Sequence, residues 1–261
     1  MGREVEKVPG GSSSRWEEVV MCRMIVACGK FSVAEVMNAA RIMAAGETGK
    51  HDGLIKQHTH GWGCLWVSNG QIRVLRGGDS FIEACSAIEL LDADIDFLAV
   101  HVRHATLRKN RGVEFSHPLR RESGGTCWYM MHNGYLPTVY PHLGLSASQF
   151  DSAEYLEYIV GPIEPTGLGK DYLMSKLIQL APGGSSGNFF LMTLDKAWVW
   201  QWFAEDTSCP EYFTLRHFKG EKVEYISSEI IPSLGDELEW RSMKNGELYE
   251  FDLKGVKGGR A

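Results

Sequence analysis

Residues 1–20 are polar, carry Pro9-Gly10-Gly11-Ser12-Ser13-Ser14 and show no sustained apolar period. That is the pattern of a flexible segment and not of a packed element. Apolar patterning begins at Met21-Cys22, so the chain divides into a leader or propeptide over 1–21 and one folded domain over 22–261. Cys22–Cys28 is a short apolar run and predicts a strand. Ser32-Val33-Ala34-Glu35 has the spacing of a capping box and predicts a helix to about Ala45, stopped by Gly46. Gly63–Ser68 and Gln71–Arg76 are strand-like and joined by Asn69-Gly70, the pair favoured where a tight hairpin turn needs positive φ. Ser80-Phe81-Ile82-Glu83 is a second capping box and predicts a helix to about Leu91. Further strands are expected over Ile95–His101 and Thr126–Met131, and helices over Asp151–Val160 and Asp171–Leu180. The remainder reads as strands: Asn188–Leu194, Ala197–Phe203, Tyr212–Phe218, Val223–Ser227 and Glu247–Leu253. Strands and helices come in blocks with hairpins, which favours an α+β layered fold with antiparallel pairing.

At 261 residues, with 44% hydrophobic and 23% charged positions, the chain is long enough to bury a core without disulfides or a structural metal. Its net charge of -6 argues against nucleic acid held by overall charge. The longest uncharged stretch, Leu177–Leu194, is broken by Pro182-Gly183-Gly184-Ser185-Ser186-Gly187, so no membrane span is expected. The N-terminus lacks the apolar core of a signal peptide. The six cysteines are widely spaced with no C-x-x-C pair, which reads as reduced thiols in a cytoplasmic protein.

Chemistry must then be sought residue by residue. Cys22, if freed at its N-terminus, carries a thiol and an α-amine on one carbon. The amine, of ordinary pKa about 7.7–8.0, can take the thiol proton and return it to a leaving amine. Taken alone, Cys22 reads first as a small core residue at the start of a strand. Asn133-Gly134 follows an apolar strand and can offer a side-chain NH₂ and a backbone N–H to an oxyanion, or can form a hairpin turn. Arg103 suits a carboxylate ligand or a structural ion pair. Asp151 suits a substrate ammonium or a helix N-cap with Glu154 completing the box. The histidine pairs His58/His60 and His101/His104 have no acidic or cysteine partner at a supporting spacing, so no metal site is expected. Trp198, Trp200 and Trp202 share one face of a strand, for packing or a partner surface.

The order of motifs carries more than any one of them. Met-Cys-Arg at 21–23, HGWG at 60–63, HVRHAT at 101–106, HPL at 117–119, HNGYLP at 132–137 and DSAE at 151–154 together resemble the class II glutamine amidotransferases, of the N-terminal nucleophile hydrolase superfamily, and most of all their short stand-alone members. The resemblance implies a four-layer αββα sandwich. It implies Cys22 as nucleophile, Asn133 and Gly134 as the oxyanion pair, Arg103 on the substrate α-carboxylate and Asp151 on the α-ammonium. Two departures stand out: His60 precedes Gly-Trp-Gly where the family usually has an acid, and Ala153 intervenes before Glu154. The implied activity is release of ammonia from the glutamine side chain through a thioester, with no cofactor and no metal. The implied partners are glutamine and an ammonia-accepting protein, with no nucleic acid and no membrane. A γ-glutamyl peptide or amine hydrolase with the same residues is the first alternative. A catalytically silent binding or regulatory subunit is the second.

Overall fold

The computed structural model describes residues 22–88, 95–105, 108–161, 169–180 and 184–253. The leader over 1–21 lies outside them. In chain order the elements are β1 (Arg23–Gly29), α1 (Val33–Ala45), β2 (Trp62–Ser68), β3 (Gln71–Gly77), α2 (Phe81–Ala84), β4 (Phe97–Val102), β5 (Leu119–Ser123), β6 (Thr126–Tyr135), α3 (Asp151–Val160), α4 (Lys170–Gln179), β7 (Ser186–Met192), β8 (Ala197–Gln201), α5 (Pro210–Phe213), β9 (Arg216–Lys219), β10 (Val223–Ser227), β11 (Arg241–Ser242) and β12 (Glu247–Phe251).

Two antiparallel sheets result, one in the order β11-β9-β10-β1-β4-β2-β3 and the other β12-β8-β7-β6-β5. The period of two along β1 explains the layering. Met24 and Val26 face the second sheet, in a core shared with Ala99, Met131, Phe190 and Val199. Ile25 and Ala27 face the other way, under Val36, Ala40 and Met43 of α1. Strands buried on both faces read as continuous apolar runs, as Met24–Cys28 does. On the far side of the second sheet, Tyr155 and Ile159 of α3 and Leu173 and Leu177 of α4 cover Met130, Phe189 and Trp198. The fold is therefore α+β with four layers, helix–sheet–sheet–helix. Trp198 and Trp200 belong to this last core, with Trp202 packed against it; they serve packing beneath α3 and α4.

Most elements match the apolar pattern. Ser32 Oγ caps α1 by accepting from Glu35 N at 3.3 Å, and Gly46 ends it. Asn69 and Gly70 turn the β2–β3 hairpin with positive φ. Three expectations are corrected. The second capping box opens only the single turn α2 and a 3₁₀ turn to Ala87, and Ser80 makes no side-chain cap; Ile88 is already extended. Over 212–218, α5 comes first and β9 begins at Arg216, because Pro210 favours a helix start. Asn133-Gly134 is no turn: β6 runs through it, pairing Asn133 with Asn188 and Gly134 with Gly187.

Candidate functional site

The site forms at one end of the sandwich, where elements of both sheets finish. In the β1–β4 ladder Arg23 pairs with Val102. Cys22 and Arg103 are the next residues outward on the two strands, and the register sets them opposite each other. From the other sheet come Gly134 and Tyr135 at the end of β6, and from the helical layer Asp151 and Ser152 at the start of α3. Cys22, Arg103, Gly134 and Asp151 line one cavity of about 90 Å³, together with His117 and His132. Asn133 is fully buried beside it and is not among the lining residues.

The local sequence explains each placement. Gly134 lies so close to Ser186 O and His132 Nε2 that a side chain there would collide with both. Gly63 on β2 packs likewise against His117 O, so Gly61-Trp62-Gly63 seats the segment bearing His117. Asp151 is not the N-cap of α3; that position is Phe150. Its Oδ2 accepts from Leu136 N at 2.9 Å, which ties the helix to the strand carrying Gly134. Glu154 reaches back to accept from Gln149 N at 2.7 Å, Phe150 N at 3.2 Å and Ser148 Oγ at 2.8 Å. It thereby fixes the segment that forms one wall of the cavity, so the glutamate after Ala153 has a structural partner set of its own.

The electrostatics follow from burial. Burial pushes the Cys22 thiol up, with the Arg103 cation acting against it; Cys22 Sγ makes a long contact of 3.9 Å to His104 O. The thiol is therefore protonated at neutral pH and needs a proton acceptor to become a nucleophile. Arg103 is 4% exposed and donates to Asn110 O at 2.7 Å. No carboxylate lies within ion-pair distance of it among the described residues, so the structural ion-pair reading is not supported there. Its guanidinium stays cationic although burial lowers its pKa. Burial raises the Asp151 carboxyl, opposed by His132 and by backbone N–H donors.

The histidines around the cavity are neutral. Burial lowers His101 to about 3 and His60 to about 4, and lowers His104, His117 and His132 as well. His132 Nε2 faces Ser186 O at 3.4 Å and Nδ1 faces Ser152 Oγ at 2.9 Å. His60 Nδ1 accepts from Ala105 N at 3.2 Å, and Arg111 stands 2.9 Å from Nε2, a cation where an acid would carry the opposite sign. No group of three metal-ligating side chains occurs among the described residues, and no described helix is long and apolar enough to cross a membrane. All six cysteines are free.

Several functional-looking residues escape a reading of the chain. His117 appears only within HPL, yet both of its ring nitrogens are buried without a hydrogen-bond partner among the described residues. Arg23, next to the candidate nucleophile, pairs with Glu229 at 2.8 Å with both side chains buried, and its guanidinium lies 3.6 Å from the Tyr212 ring centroid. Ser228 joins Met24 to Asn133. Glu229 and Ser228 sit in Ser-Ser-Glu, which reads as a polar strand end; only the β1–β10 register brings them here.

Comparison with known proteins fits this architecture. The class II glutamine amidotransferase family matches residues 28–153, a span that holds Arg103, Asn133, Gly134 and Asp151 and begins after Cys22. Comparison with curated proteins finds no match. Among solved structures, the glutamine phosphoribosylpyrophosphate amidotransferase from B. subtilis is 17% identical with a TM-score of 0.60, over 88% of this chain and 47% of that one. A structure described as the allosteric regulatory enzyme of purine biosynthesis is 18% identical with a TM-score of 0.62, over the same shares. A glutamine aminotransferase class-II domain protein from Silicibacter pomeroyi is 12% identical with a TM-score of 0.50, over 88% of this chain and 95% of that one. This chain thus spans about half the length of the first two, and at these identities the likeness is one of fold. Residues 28–153 thus match the class II glutamine amidotransferase family, and the two-sheet fold is like that of the solved amidotransferases.

Proposed function

We propose that the protein is an amidohydrolase of the glutamine amidotransferase type with Cys22 as its nucleophile. One observation carries this reading: a single small cavity gathers a buried thiol, a buried guanidinium, a partly exposed carboxylate and a strand-end glycine from four separate segments. An amino acid with an amide side chain offers a matching set of groups. Arg103 takes the α-carboxylate and Asp151 the α-ammonium, which brings the side-chain amide to Cys22.

The thiol attacks the amide carbon, and the tetrahedral oxyanion is held by Asn133 and Gly134. Because the buried thiol is protonated at rest, the step needs a base. The α-amine of a freed Cys22 is the one attached to the same carbon. It returns the proton to the departing ammonia, and water then cleaves the thioester to give glutamate. This chemistry draws on no metal or organic cofactor. The ammonia passes to an accepting protein, and the reaction takes place in the cytoplasm, where free thiols persist.

A γ-glutamyl peptide or amine uses the same pocket for its glutamyl half and differs only in the leaving group. The deciding experiment uses protein whose N-terminal residue is verified as Cys22 and compares ammonia release from L-glutamine with cleavage of a panel of γ-glutamyl amides. Turnover of L-glutamine is the expected result. Preference for a γ-glutamyl amide by orders of magnitude moves the assignment to the hydrolase, and no turnover of any member leaves the silent subunit.

A further inference from the structure

Asn133 is fully buried, yet its carboxamide is only half satisfied. Nδ2 donates to Ser228 Oγ at 3.4 Å, while Oδ1 has no hydrogen-bond partner among the described residues. An unpaired buried acceptor is costly, because it gives up its water partners and gains none. Ser228 is itself fixed from behind. Its Oγ accepts from Met24 N at 3.0 Å, and its backbone N–H donates to Met24 O at 2.9 Å. The serine, just past the end of β10, is therefore tied to β1 at Met24, two residues from Cys22, and reaches across to the strand of the other sheet that carries Asn133.

A hydroxyl that already accepts from Met24 N still has one proton to give. A half-turn of the carboxamide exchanges its two ends within the same volume. In that orientation Ser228 donates to Oδ1, the orphaned acceptor is satisfied, and the NH₂ is released from Ser228. The oxyanion role requires that free NH₂; the role fails if the amide is held with its donor spent on the serine.

We infer that Ser228 is a positioning residue for Asn133: its hydroxyl sets which end of the carboxamide is held and which end is offered to the oxyanion. This rests on the oxyanion role given to Asn133 above. Ser228 touches no substrate in this arrangement and acts only through the asparagine.

The test compares Ser228→Ala, Ser228→Cys, Asn133→Ala and the double variant Ser228→Ala/Asn133→Ala, each with Cys22 freed, by kcat and KM on L-glutamine and γ-glutamyl p-nitroanilide. Asn133→Ala is expected to lose about 10²–10³-fold in kcat, as for loss of one oxyanion donor, and Ser228→Ala at least about 10-fold, both at near-constant KM. The cysteine variant, similar in size and a weaker donor, should fall between Ser228→Ala and the parent. The double variant should be no worse than Asn133→Ala alone, because the serine acts only through the asparagine. Multiplying losses, or a rise in KM at constant kcat, overturns the assignment. A second readout needs no turnover. In protein labelled with ¹⁵N at asparagine, the Asn133 side-chain NH₂ signals, identified by their loss in Asn133→Ala, should move in Ser228→Ala. Unchanged signals overturn the assignment whether or not the protein hydrolyses glutamine, whereas moved signals without turnover leave it standing and remove the hydrolase reading instead.

Discussion

Cys22 and Arg103 stand opposite each other, each one residue beyond the last antiparallel pair of β1 and β4, Arg23 with Val102. A guanidinium held there by strand register is the strongest charge opposing the burial that keeps the Cys22 thiol protonated. On the proposed reading the same cation also holds the substrate carboxylate, so one residue would serve both binding and the ionisation of its neighbour.

Cys22→Ala is expected to abolish amide hydrolysis and leave the fold intact, since a small residue replaces a small one at a strand start. A glutamine-mimicking electrophile should modify Cys22 and spare Cys28 and Cys64, whose thiols burial pushes far up. Peptide mapping and thermal melting of the variant check both points; retained hydrolysis removes Cys22 from the mechanism.

Arg103→Ala should raise KM with the protein still folded. Truncating one partner of a buried charge pair costs about 2–5 kcal/mol, here expressed only when substrate is bound. Steady-state kinetics with L-glutamine, beside a melting curve, measure it, and wild-type KM in the folded variant refutes the contact.

Much of this was legible in the chain, and the reasons differ by element. β1, β4 and β6 were visible because their middles are buried on both faces and carry short apolar runs, Met24–Cys28, Phe97–Val100 and Cys127–Met131. β5 was missed because Leu119–Ser123 is an edge strand whose Arg120, Arg121 and Glu122 are exposed. The run 212–218 misled because its aromatics suit strands, and the proline that starts a helix lies just before it. The site motifs could be found one by one, since each sits at the end of its element. What could not be read was the company they keep: Ser228 and Glu229 arrive through a ladder between residues some 200 positions apart, and the two ring nitrogens of His117, without a hydrogen-bond partner among the described residues, become visible only once burial is known.

Asp151→Asn should cost binding and gain stability. Burial raises the folded-state carboxyl, so the unfolded chain ionises first as pH rises, and the native state bears a growing penalty as pH climbs through that raised value. The asparagine variant should thus melt higher than the parent at neutral pH while its KM for glutamine increases. Equal melting temperatures across pH 5–8, roughly the range of usual maximal stability, contradict the burial argument.

Acid should unfold the protein early. Histidines held neutral by burial have folded values below the ordinary 6.5. Their contribution is complete above about 6.5 and is lost as pH falls below it, continuing toward the value of about 3 for His101. Melting temperature recorded against pH should decline below about 6.5, and His101→Phe should flatten the decline.

Active protein should begin at Cys22. An amide nitrogen cannot accept the thiol proton, so a peptide bond from Met21 disables the base. Intact-mass analysis of active enzyme should show the leader gone. Full activity with residues 2–21 attached moves the base to a neighbouring imidazole, His104 or His132.

The cavity takes its thiol and guanidinium from one sheet and its glycine and carboxylate from the strand and helix of the other half. Neither half holds a complete set. On the proposed reading, catalytic output is therefore a reporter of how the two sheets are seated on each other, and core truncations outside the cavity lining, at Phe190 or Met192 in the intersheet layer, should silence turnover while circular dichroism still records every strand and helix.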